Sequence, residues 1–252
     1  MSSFSLAYLA LLGALGSSVV ALGADRFPFL LRYGASALLG VSGLAAVAAG
    51  ASALLAETAT TDGLPLGLPW LTWHLRLDPL SGFFLAVVGL LVAVIALYAP
   101  GYLREFVHGK GKQPLAPLGL FTGLFVFGMM LVLLADDAFV FMIAWELMSV
   151  SSYFLVAYQH QHAANRRAAF LYLLMAHIGG LAILLGYGVL ASFGAGFTFD
   201  AMRAAELSPT WASIAFVFAF FGFGMKAGMV PVHAWLPEAH PAAPSHISAL
   251  MS

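Results

Sequence analysis

Glu146 and Lys226 are the residues best placed to do chemistry in this sequence, because each stands inside a long apolar run. Glu146 lies in "DAFVFMIAWELMSVSSYFLV" and Lys226 in "FGFGMKAGMVPVHAWLPEAH". A charge at the centre of a bilayer costs at least about 2.5–3.5 kcal/mol, so each needs a partner or a wet cavity. Two chemistries fit. The pair is either a fixed salt bridge joining two helices, or a proton path in which carboxylate and amine exchange protons as a neighbour's charge changes. Buried ion pairs add little net stability, which favours the path.

Helical spacing puts Glu146, Ser149 and Tyr153 on one face, and Ala219, Gly222 and Lys226 on another, where small residues admit a close neighbour. His177 sits mid-segment beside Gly179 and Gly180, as a relay or as a hydrogen-bonded packing residue. After Lys226 the chain meets Pro231, Pro237, Pro241 and Pro244, which remove backbone donors, and carries His233, Glu238, His240 and His246 among them. Broken helices in transporters use such backbone to hold charged groups at a midplane site. The other reading is a polar loop beyond the membrane. The candidate proton-transfer set is therefore Glu146, Lys226, His177, His233, His240 and His246. No metal site is expected, since three histidines and one glutamate at this spacing match no compact zinc motif.

The elements that must position these groups are membrane helices. The chain of 252 residues is 62% hydrophobic and 8% charged, against about a quarter charged in soluble domains. Ten Lys/Arg against eleven Asp/Glu leave no basic face for nucleic acid. With no cysteine, thiol catalysis, disulfides and thiolate-bound clusters are excluded within the chain, so no cofactor is expected here. A span needs about 20 apolar residues, which gives seven: 4–24, 33–55, 77–98, 115–135, 138–158, 168–193 and 211–230. "ALGA" at 21–24 has a faint likeness to a signal-peptide cleavage site, but the run before it lacks Lys and Arg and is too long, so a permanent helix is expected.

Joints one, three and five hold Arg26, Arg32, Arg104, Lys110, Lys112, Arg166 and Arg167, whereas the opposite joints hold only Arg76 and Arg203. That asymmetry places the first set in the cytoplasm and the N-terminus outside. Asp78 reads as a helix cap, and Asp136 and Asp137 as the outer start of the fifth span. The chain stops soon after Pro244 in "SHISALMS", so it reads as part of a longer protein, or as one completed by another chain.

"AWELMSVSSYFLV" and "GFGMKAGMVPVHAWLPEAHPAAPSHISALMS" resemble the antiporter-like membrane subunits of respiratory complex I and related complexes. "WELMS", "HAWLPEAHPAAPSH" and "SALMS" are most similar to the large membrane subunit of formate-hydrogenlyase-type hydrogenases. The resemblance implies an all-helical fold of about fourteen helices in two inverted repeats, each with a broken helix. Residues 1–114 would be three leading helices and 115–252 most of the first repeat. It also implies that Glu146 pairs functionally with Lys226, and that His177 takes the place of a charged group. The expected role is a proton-translocating subunit without redox chemistry, in the cell membrane, driven by peripheral redox subunits and packed on other membrane subunits. A secondary cation/proton antiporter and a non-conducting assembly subunit are the alternatives.

Overall fold

The computed structural model describes residues 2–56, 58–68, 71–108 and 114–252. Lys110 and Lys112, which contribute to the charge asymmetry, lie outside them. Among the described residues the spans are α1 (Ser3–Ala21), a six-residue π-helical turn (Leu30–Ala35) running into α2 (Ser36–Leu55), α3 (Pro79–His108), α4 (Leu115–Leu134), α5 (Ala138–Val156), α6 (Ala163–Phe193) and α8 (Pro209–Ala227). All seven are long and apolar enough to cross a membrane. A short α7 (Phe199–Arg203) joins α6 to α8, and α9 (Leu236–Ala242) and α10 (Ser245–Met251) follow α8. This is a multi-pass membrane protein.

In space the helices neighbour one another in the order α3, α2, α1, α4, α5, α6, α8, and α9 rests on α6. Without a hydrophobic driving force in lipid, close backbone approach over small residues holds such helices together. The α2–α3 seam shows this: a Cβ on Gly43 would lie 2.6 Å from the Ala93 nitrogen, and one on Gly89 2.6 Å from the Gly43 carbonyl oxygen. Gly222 brings α8 onto α6 in the same way, where a Cβ would lie 2.7 Å from the Gly179 carbonyl oxygen.

One feature departs from an all-helical chain. Residues Thr60–Leu68 (β1) and Leu71–Leu77 (β2) form an antiparallel hairpin with an irregularity between Leu64 and Gly67. The sequence reads this stretch as a joint because Gly63, Pro65 and Gly67 break any alternation. Pro65 cannot donate to a ladder and falls at the irregularity, where it is tolerated. The hairpin continues into the α4–α5 turn and the α6–α7 connection through the bridges Leu75 to Ala135 and Asp137 to Thr198.

Charged groups finish this outer layer. Asp137, fully buried, accepts from the Val140 amide at 2.8 Å as the α5 cap and from the His74 amide at 2.9 Å. Asp78 caps α3 by accepting from the Ser81 amide at 2.9 Å. Burial raises the Asp78 carboxyl, but the Ser81 hydrogen bonds and the Arg76 charge outweigh it and hold the group below its usual range.

The cysteine-free sequence makes orientation directly testable. A membrane-impermeant thiol reagent should label Gln161→Cys only from the cytoplasmic side and Thr61→Cys only from outside. Labelling of both from one side would overturn the seven-span arrangement.

Candidate functional site: a lysine and a glutamate–histidine pair at membrane depth

Lys226 is in the last turn of α8. The helix ends at Ala227, four residues before Pro231, because Gly228 adopts φ 72° and closes the end. The Gly228 amide donates to the Met225 carbonyl and the Met229 amide to the Gly224 carbonyl, the pattern of a Schellman stop. The break thus begins at a glycine, and the cis Val230–Pro231 bond lies within the loop that follows.

The ammonium turns toward α5 and α6. Lys226 Nζ donates to the Tyr172 hydroxyl at 3.0 Å and lies 5.6 and 5.4 Å from the ring centroids of Trp145 and Tyr172. Tyr172 and Ser152 share a 2.6 Å hydrogen bond, and the Ser152 hydroxyl also donates to the Met148 carbonyl at 2.7 Å. The donors therefore run one way, from ammonium to phenol to hydroxyl to carbonyl. A backbone carbonyl takes up no proton, so this chain positions Nζ rather than conducting past Ser152. One ring, that of Trp145, and one neutral acceptor, the Tyr172 hydroxyl, stabilise the cation.

Glu146 faces elsewhere. Its Oε2 lies 3.5 Å from His177 Nε2, across the α5–α6 seam. His177 Nδ1 is 3.1 Å from the Leu173 carbonyl, which accepts from an Nδ1 hydrogen and so turns Nε2 toward the carboxylate. The two groups form a carboxylate–imidazole pair at ion-pair distance. Its side chains are 39% (Glu146) and 47% (His177) exposed, between the exposed apolar groups Ile143 and Ile178.

The structure therefore brings Glu146 and His177 together but leaves Glu146 and Lys226 without direct contact. Among the described residues, no carboxylate lies within ion-pair distance of Lys226. Of Glu146's predicted face, Ser149 is buried with its hydroxyl unpartnered, and Tyr153 packs its ring on Phe154. Past the break, Trp235 donates from Nε1 to the Met225 carbonyl at 2.7 Å, meets the Tyr172 ring edge-on and stacks on His240. His240 Nδ1 lies 2.9 Å from the Ser248 hydroxyl. His233 has an unpartnered, buried Nδ1. His246 sits apart, against Tyr102.

Sequence reasoning missed Tyr172, Ser152, Trp145 and Trp235. The hydroxyls and indoles carry no charge, so nothing flags them inside an apolar helix. The signal that was available is Trp145, adjacent to Glu146 and on the neighbouring face.

Gly180 sets the carboxylate's seat. A Cβ there would lie 2.7 Å from Glu146 Oε1. Gly180→Ala should therefore push the carboxylate off His177 at near-normal membrane abundance, seen as loss of the carboxylate–imidazole contact in solid-state NMR. An unchanged contact would show that Gly180 does not set the seat.

A model of the family described as NADH:quinone oxidoreductase/Mrp antiporter, TM, matches residues 135–252. Hydrogenase-4 component B of Escherichia coli (strain K12) is 46% identical over 178 residues, covering 71% of this chain and 26% of that protein. The chain thus spans about a quarter of that relative's length. A chain of the Mrp complex from Dietzia sp. DQ12-45-1b superimposes with a TM-score of 0.80 at 24% identity, over 97% of this chain and 26% of that one. A chain of the membrane-bound sulfane sulfur reductase, an archaeal respiratory membrane complex, superimposes with a TM-score of 0.76 at 19% identity, over 98% and 49%.

Proposed function

This chain belongs, through residues 135–252, to the NADH:quinone oxidoreductase/Mrp antiporter transmembrane family, and from that premise we propose that it moves protons across the membrane for an oxidoreductase complex. Lys226 is the proton carrier. The Glu146–His177 pair is a second proton site whose charge biases it, and redox chemistry in peripheral partner subunits supplies the drive. The chain itself carries no redox group. It lies in the cell membrane, among other membrane subunits.

One observation carries this reading: Lys226, in the last turn of an apolar span, is held by the Tyr172 hydroxyl and the Trp145 ring, and no carboxylate among the described residues lies against it. A structural salt bridge needs a fixed counter-charge. A carrier needs an ammonium that can lose its proton without stranding a partner, and the neutral Tyr172 acceptor supports that reading. The half-exposed Glu146–His177 pair supports the same view, because ionisable groups at this depth face protein or a wet cavity rather than lipid. That face of α5 and α6 therefore packs on further membrane protein.

Substitution of His177 tests the second site. His177→Leu removes the Nε2 proton while leaving α6 apolar, and should slow transport about tenfold, equal to ~1.4 kcal/mol on the limiting barrier. Membrane abundance should hold. Transport at the parent rate would return His177 to a packing role.

A further inference from the structure

We infer that the small cavity between α2, α3, α4 and α10 is a binding site for a single water molecule, held by His246, Ser36 and Thr122. His246 is 5% exposed and its Nδ1 meets no hydrogen-bond partner among the described residues. A fully buried polar atom of this kind is uncommon in a folded protein. The ring lines a small cavity together with Ser36 and Thr122, whose other walls are apolar, among them Leu39, Ile95 and Leu118. Its water-accessible volume of about 20 Å³ admits one water, which needs roughly 10–15 Å³ by that measure.

The hydrogen bonds of the walls fix how the water sits. Ser36 Oγ spends its hydrogen on the Leu31 carbonyl at 3.1 Å, and Thr122 Oγ1 spends its own on the Leu118 carbonyl at 2.6 Å. Both residues line the cavity, and with their hydrogens spent their hydroxyls can serve a ligand there only as acceptors. A water there donates to each of them and accepts from an Nδ1 hydrogen of His246, which gives it three bonds and the imidazole its missing partner. The arrangement selects the Nδ1–H tautomer of His246. The π-helical turn contributes too, since Leu31 and Ala35 line the cavity and Ser36 bonds back five residues rather than four. Wide turns of this type recur at functional sites. The water ties α10 to α2 through Ser36 and to α4 through Thr122, and its presence does not depend on whether the chain moves protons.

The test is solid-state NMR of the complete protein in bilayers with ¹⁵N-labelled histidine, the His246 signals being assigned by their loss in His246→Gln. The expected spectrum has a protonated Nδ1 with a cross-peak to water that resists drying of the bulk phase. Thr122→Val should abolish that cross-peak, and Ser36→Ala, the smaller change, serves as a second variant where Thr122→Val lowers the folded yield. An unprotonated Nδ1 would overturn the site, as would a water cross-peak that survives in the hydroxyl variants.

Discussion

Lys226→Met should abolish proton transport while leaving the protein in the membrane. Methionine keeps an unbranched stem in place of the one that carries Nζ to Trp145 and Tyr172, so the α6–α8 seam built on Gly179 and Gly222 should close as before. The energetics nearly balance. A hydrogen bond from a charged donor is worth about 1.5–3 kcal/mol, and removing a charge from membrane depth returns about 2.5–3.5 kcal/mol. Tyr172 keeps its bond to Ser152, and no carboxylate among the described residues is left stranded at Lys226. Transport should nevertheless fall by at least about a hundredfold, the lower end of what a positioned proton-transfer group contributes. Quantitative blotting of membranes beside a proton-flux assay separates the two effects. Equal losses of abundance and flux would assign Lys226 to structure.

Glu146→Gln carries the second large effect, for a different reason. Glutamine has nearly the same shape and still reaches His177 Nε2 across the seam left open by Gly180. Only the charge disappears. Without the carboxylate, His177 loses the acid group facing its Nε2, which on the proposed reading removes the charge that biases Lys226. Flux should fall about tenfold or more, equivalent to at least ~1.4 kcal/mol on the limiting barrier. The same measurement in His177→Leu should give a loss of similar size, and combining the two changes should add little, because both disable one pair. Additive losses would mean that Glu146 acts independently of His177.

Much of this was legible in the sequence, and the reason is energetic. Charge in lipid is so costly that seven apolar runs, and the two charges inside them, stand out without any structure. The family was legible from "WELMS" and "HAWLPEAHPAAPSH", and the family match agrees with it. Other features depend on facing surfaces that periodicity does not encode. Spacing placed Glu146 on a face with Ser149 and Tyr153, yet which neighbour meets that face follows from the order of the helices in the membrane. Hence His177, rather than Lys226, is the direct partner of Glu146. The hairpin at 60–77 was hidden because its ladder leans on main-chain bonds to Asp136 and on the His74–Asp137 contact, not on an alternating pattern of its own. The early stop of α8 followed from Gly228, where the eye is drawn to Pro231.

The most direct test of Lys226 as a proton carrier is proton flux through the complete assembly in liposomes, measured for Lys226→Met, Glu146→Gln and the double variant against membrane abundance. A carrier acting beside a separate Glu146–His177 site predicts full abundance in all three and no recovery of flux in the double variant. A structural ion pair predicts the reverse: each single change strands a charge at about 3–5 kcal/mol and lowers abundance, and the double change restores it. Restored flux in the double variant would contradict the account.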